Sequence, residues 1–337
     1  MIVALAASPH VYAEEEPVKV FLLAGQSNMV GYSKTEGVNQ GLRAMVNADL
    51  DTFGFGGTNP LVDADGDWVI RSDVNVYAHN ENGNDDPILK ISGHTAGLGA
   101  WSSANRANFG PEYGFGHVIG NALDEDVLLI KIADGGTTLA GDWRSPSAVA
   151  KRGGTVGRMW DKLTAEVGQV LDNLDTHFPE YAGRKTEIVG FGWHQGWNDI
   201  FVSSAPQAYE ANMADFIRDV QSEYGDDLPF IIATTGQGGN EASNSSQLQI
   251  INAQLAMGDA TEYPEFEGEV AVIETRPMWR PADVSPNNQG FHWNGNGITM
   301  YEIGTGMGEA YLKLVPEPGA LGLFVGGVLL TARHRRD

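Results

Sequence analysis

An α/β fold with a five-stranded parallel sheet is predicted by two observations. Five short apolar runs recur along the chain: VKVFLLA from Val18, DVLLIKIA from Asp126, TEIVGFGW from Thr186, LPFIIATT from Leu228 and GEVAVIET from Gly268. They are nearly continuous rather than alternating, as expected of strands covered on both faces. Helical patterns lie between them. Met159, Leu163, Val167, Val170, Leu171 and Leu174 recur at helical spacing, as do Tyr209, Met213, Phe216, Ile217 and Val220, and intervening helices supply the crossovers that parallel pairing requires.

Taken in order, the first run ends abruptly on Gly25, Gln26, Ser27 and Asn28. Ser27 there is either a nucleophile at the carboxyl edge of the sheet, where open α/β sheets bind ligands, or the cap of the next helix. From about residue 47 to 108 the rhythm breaks into a stretch dense in Gly, Asn and Asp, which reads as an irregular insertion. Within it DADGDW sets Asp63, Asp65 and Asp67 at alternate positions, a spacing some calcium loops use. The match to an EF-hand fails at Trp68, where glycine is required, and at Val74, where glutamate is required.

Composition narrows the function classes. The chain has 337 residues, 42% of them hydrophobic, enough for one large domain. Its 21 Lys and Arg against 44 Asp and Glu give a net charge of −23, which repels phosphate backbones and anionic membranes, so nucleic-acid binding is disfavoured. With no cysteine, neither disulfides nor thiolate metal sites are available.

Both ends read as targeting segments. Residues 1–13, MIVALAASPHVYA, have the short apolar stretch and terminal small residue of a signal peptide but lack its basic opening. Residues 315–337 join Pro316, Glu317 and Pro318 to an apolar run from Ala320 to Ala332 and then to Arg333, Arg335 and Arg336. That run is shorter than the roughly 20 residues of a spanning helix. The order of parts resembles the PEP-CTERM sorting signal, which implies export to the surface of a Gram-negative bacterium, a sorting protease of the exosortase type as partner, and membrane contact only through the tail before processing.

The later strands also end in unusual residues. DGGTTLAGDW follows the second run, HQGWND the third, and GFHWNGNG with His292 lies near the carboxyl end. Parallel strands bring such ends to one edge, so glycines, amides, a serine and a histidine collect on one surface. A serine hydroxyl is a weak nucleophile at neutral pH and needs a base in hydrogen-bond reach, for which histidine is best matched.

GQSNM, GGT, HQGWND and the late FHW resemble, in order, the four blocks of the SGNH hydrolase superfamily, and within it the sialate O-acetylesterase or carbohydrate esterase family six group. FGPEYGFG from Phe109 and GDWRSP from Gly141 are also similar to this group, and the resemblance spans about 18–314. It implies a three-layer α/β/α, flavodoxin-like fold that removes acetyl groups from sugars with no metal or organic cofactor. Carried onto this chain, it implies Ser27 as nucleophile and His292 as base. The oxyanion donors are then the N–H of Ser27, the N–H of Gly135 or Gly136, and the Asn198 amide. Gln26, His194, Gln195 and Trp143 are expected to bind substrate.

The third triad member departs from the pattern. Where many relatives carry an acid three residues before the histidine stands Gln289, and where others carry one after HQG stands Trp197. Asp199 is the leading candidate to orient His292, with Asp283, Glu302 or a backbone carbonyl behind it. GQSNM also lacks the second glycine of a G-x-S-x-G elbow, which disfavours a lipase. The alternative from another class is a non-catalytic carbohydrate-binding protein offering Trp143, Trp197 and Trp293 to sugar rings.

Overall fold

The structure is a computed structural model that describes residues 16–37, 39–81, 88–91, 93–97 and 107–315. The expected signal peptide and all but the first residue of the expected sorting tail lie outside the described residues. The described residues form nine strands: β1 (Val18–Gly25), β2 (Ser33–Lys34), β3 (Val74–Glu81), β4 (Ile88–Ile91), β5 (Asn108–Phe109), β6 (Val127–Asp134), β7 (Thr186–His194), β8 (Phe230–Ala233) and β9 (Val270–Ile273). Seven form the central sheet in the order β4-β3-β6-β1-β7-β8-β9, and β2 and β5 form a separate antiparallel pair.

All five predicted runs are strands, and all pair in parallel. The sheet is nonetheless wider than the five strands predicted. The stretch read as an irregular insertion supplies β3, parallel to β6, and β4, antiparallel to β3 at the edge. In β3 the polar Asn75, Tyr77 and His79 dilute the apolar signal of Val74, Val76 and Ala78. Asn75 is buried because its amide donates to Glu180 and accepts from the Gly93 N–H at 2.6 Å, so a polar residue behaves as a core one.

The period of two along each strand splits the core into two layers. Val20, Leu22, Ile130, Phe191 and Phe230 face the helices Arg158–Asp172 and Ala205–Tyr224 through Leu163, Val167, Met213 and Phe216. Phe21, Leu23, Leu129 and Ile231 face the helices Glu112–Ala122 and Gly297–Leu314 through Phe115, Ile303 and Met307. The last two helices are in backbone contact: a Cβ at Gly304 would lie 2.2 Å from the Pro111 carbonyl oxygen. This is the three-layer α/β/α arrangement, and it brings the carboxyl ends of β1, β6, β7 and β8 to one edge. Among the described residues no helix is long and apolar enough to cross a membrane.

Candidate active site

The centre of that edge is built on β1. Gly25 pairs with Ala133 of β6 and His194 of β7, and a Cβ there would lie 2.3 Å from the His194 carbonyl oxygen. Glycine thus lets the chain turn directly from the buried strand into the one-turn helix Ser27–Val30, with Ser27 at its first position. Ser27 is 7% exposed, its backbone fixed by the helical turn that ends with Gly31 N–H donating to Ser27 O.

Gln26 couples this turn to the strand beside it. Its Oε1 accepts from the N–H of Gly196 at 3.0 Å and of Asn198 at 3.3 Å, and its Nε2 faces Asn198 Oδ1 at 3.5 Å. The Asn198 amide oxygen therefore points toward Gln26, leaving Nδ2 for the other side, where a Cβ built on Gly136 would lie 3.5 Å away. Gly136 has φ +77°, a left-handed conformation that favours glycine. Gly136, one of the two glycines that the sequence left open, lies beside the Asn198 amide.

Asp199 does not orient His292. It is fully buried, and its Oδ1 accepts from Ala140 N–H at 3.0 Å while Oδ2 accepts from Leu139 N–H at 2.9 Å and Gln195 Nε2 at 2.6 Å. Burial raises its pKa and these donors oppose the rise. Its role is to tie the loop after β6 to the loop after β7, which fixes Gly136 relative to Asn198. The other two acids do not serve His292 either. Glu302 is taken by Arg280 through two bonds of 2.7 Å, and Asp283 is exposed with no hydrogen bond among the described residues.

His292 lies in a 3-10 segment, Gly290–Gly295, that reaches the turn around Ser27 by two contacts. Asn28 Nδ2 donates to the Phe291 carbonyl at 3.2 Å, and the His292 ring stacks on Tyr32 at 3.9 Å between centroids. Tyr32 was not singled out from the sequence; its place two residues past the helix Ser27–Val30 was the available signal. Next to His292 the bulky Trp293 has φ +55°, a left-handed conformation that costs on the order of 1–3 kcal/mol and tends to persist at functional sites. The His292 Nδ1 is buried without a hydrogen-bond partner, and burial lowers the ring's pKa to about 4. The imidazole is thus neutral at pH 7, and among the described residues no carboxylate bonds to it.

Three of the four expected substrate-binding residues are committed inside the protein. Trp143 is fully buried, packed edge-on to Trp193, with its indole N–H on Thr137 Oγ1 at 3.0 Å. Gln195 spends its amide on Thr137 O, Asp199 and Tyr209. Gln26 is 1% exposed and positions the neighbouring loop. His194 is also buried; its Nδ1 faces Ala233 O at 3.2 Å, its Nε2 has no partner, and burial lowers its pKa to about 4. Trp293 is fully buried too, so of the three indoles offered for a binding protein only Trp197 is partly open. Asp63, of the acidic loop, spends Oδ1 on the N–H groups of Asp65 and Asp67 at 2.9 Å. Among the described residues no acidic or histidine cluster could hold a metal ion.

Comparison with known proteins places these features in context. The sequence profile of the family described as carbohydrate esterase, sialic acid-specific acetylesterase, matches residues 17–270. No curated protein matches the chain in sequence. Among solved structures, an Arabidopsis thaliana protein is similar with a TM-score of 0.54 at 16% identity, over 88% of this chain and 99% of that one. A carbohydrate acetylesterase from Xanthomonas citri gives 0.48 at 15% identity over 88% and 56%. NanS gives 0.46 at 13% identity over 90% and 98%.

Proposed function

Because the chain belongs to the sialic acid-specific acetylesterase family of carbohydrate esterases, we propose that it removes O-acetyl groups from carbohydrates through an acyl-enzyme on Ser27. The observation that supports this reading is that the neighbours of Ser27 reach the other expected blocks: Gln26 accepts from the Asn198 N–H, Asn28 donates to the carbonyl of Phe291 beside His292, and Gly136 lies beside Asn198 Nδ2. Such a set matches what acyl transfer needs: a nucleophile, a neutral base and donors aimed at a developing oxyanion.

In this reading Ser27 Oγ attacks the acetyl carbonyl carbon and His292 accepts its proton. The negative charge that develops on the carbonyl oxygen is held by the N–H groups of Ser27 and Gly136 and by Asn198 Nδ2. Collapse breaks the bond to the sugar oxygen, which leaves as an alcohol with the proton from His292. Water, deprotonated by the same imidazole, then attacks the acetyl carbon; the bond to Ser27 Oγ breaks, the imidazolium returns its proton to that oxygen, and acetate leaves. No acid is assigned behind His292, so the centre works as a Ser-His dyad. Export and surface sorting belong to the same reading on the sequence of the two ends alone.

The test is acetate release from acetylated xylan and from O-acetylated sialic acid, with intact-mass detection of an acetyl adduct during turnover. The purified protein is expected to release acetate and carry the adduct, and Ser27→Ala and His292→Ala each to abolish release while keeping the native circular dichroism spectrum. Turnover at the native rate in folded Ser27→Ala would overturn the assignment.

A further inference from the structure

A groove of about 510 Å³ opens beside the catalytic edge, lined by Trp197, Gln237, Glu241, Asn244, Trp279 and Phe291 among others. It adjoins the centre on two sides. Trp197 immediately precedes Asn198, and Phe291, 43% exposed, immediately precedes His292.

Gln237 is the unusual member. It follows β8 in the stretch TTGQGG, and the main chain there is held by Gln247 Nε2 donating to Thr235 O at 3.1 Å and Gln237 O at 2.6 Å. Its side chain is 2% exposed, yet both its amide oxygen and amide nitrogen lack a hydrogen-bond partner. Buried polar atoms are nearly always satisfied, so an orphan amide lining a groove points to a ligand that completes it. One acceptor and two donors match the hydroxyl groups of a sugar ring, and Trp197 and Trp279 line the same groove. Trp279 packs tightly because position 239 is glycine: a Cβ there, at φ +64°, would lie 3.1 Å from Trp279.

Charge then selects among sugars. Glu241 is the one charged residue lining the groove. The arginines flanking Trp279 are already paired, Arg276 with Glu274 and Arg280 with Glu302. A sugar carboxylate seated there would face an acid with no cation to offset it.

Resting on the esterase reading above, we infer that this groove is a sugar subsite in which Gln237 binds ring hydroxyls and which favours neutral acetylated sugars over anionic ones such as sialic acid. It departs in charge preference from what the family's description suggests.

The experiment compares kcat/KM on three esters: p-nitrophenyl acetate, a mono-O-acetylated methyl xyloside and 9-O-acetyl-N-acetylneuraminic acid. Wild type is expected to prefer the xyloside ester over the sialic acid by about tenfold or more. In Gln237→Leu the loss on the xyloside ester should exceed that on p-nitrophenyl acetate by about tenfold, mainly through KM. Glu241→Lys, at an exposed position, should narrow the gap between the two sugar esters. A wild-type preference for the sialic acid ester, or equal losses on all esters in Gln237→Leu, overturns the inference. Calorimetric titration with xylo-oligosaccharide separates it from the esterase reading: a catalytically silent protein that binds the oligosaccharide through Gln237 keeps the subsite and loses the esterase. Undiminished binding by Gln237→Leu overturns the subsite even in an active enzyme.

Discussion

The two flanks of Ser27 are built on opposite plans. On one side Gln26, Asp199 and Gln195 knit the loops after β1, β6 and β7 into a closed set of buried hydrogen bonds in which both oxygens of Asp199 are used. On the other side His292 is held by a ring stack on Tyr32 and by its neighbour's carbonyl, and its Nδ1 has no partner. The difference is what each flank must do. In the proposed reaction the oxyanion donors act by being fixed beforehand, whereas the base needs only to be neutral.

The largest expected effect tests the rigid flank. Asp199→Asn places an amide N–H against either the Ala140 N–H or the paired Leu139 and Gln195 donors. Leaving a buried donor without its acceptor costs about 1–3 kcal/mol, so a clear fall in the urea midpoint is expected along with loss of activity. An unchanged midpoint would show that the two loops are held some other way.

Asn198→Ala comes next. The fold should survive, and kcat should fall about 100- to 1,000-fold with KM changed far less, the signature of a lost oxyanion donor. A change confined to KM would assign Asn198 to ground-state binding and dissolve the contrast between the flanks.

The smallest effect sharpens the other flank. With its pKa lowered to about 4 by burial, His292 stays neutral well below pH 6, so the acid limb of kcat/KM should lie near pH 4 to 5. Gln289→Asp puts a carboxylate one turn before His292, whose N–H donates to the Gln289 carbonyl at 2.8 Å. An adjacent negative charge stabilises the imidazolium, so the limb should move upward and kcat should rise by about tenfold at neutral pH. A limb that stays put would place position 289 out of reach of the ring.

That profile must be read with the fold intact, because other histidines oppose acid. Burial lowers His94 and His194 to about 4 and His117 well below its usual value. An unfolded chain binds protons at these sites from about pH 6.5 downward while the native one does not. Stability is therefore fully present above pH 6.5 and falls as pH drops toward 4, by about 1.4 kcal/mol per pH unit for each histidine. Near-ultraviolet circular dichroism across the same range separates this loss from the titration of His292.

What the sequence determined by itself were the features that depend on local chemistry. Short, nearly unbroken apolar runs separated by helical patterns point to strands covered on both faces, and β1, β6, β7, β8 and β9 followed. Glycine, serine and amide residues just past those runs marked the edge where Ser27, Gly136 and Asn198 meet. Tertiary structure decided what depends on neighbours remote in sequence. β3 was hidden because Asn75 is buried by bonds to Gly93 and Glu180, which no local pattern reveals. Asp199 and Trp143 carry residue types suited to a site, but the loops of β6 and β7 enclose them as structure. Gln237 bore the same mark as Gln26, an amide after a buried strand, in a run of glycines easily read as a turn. An amide looks the same in sequence whether its hydrogen bonds are filled from inside the protein or left open to a ligand, and only packing in three dimensions makes that difference.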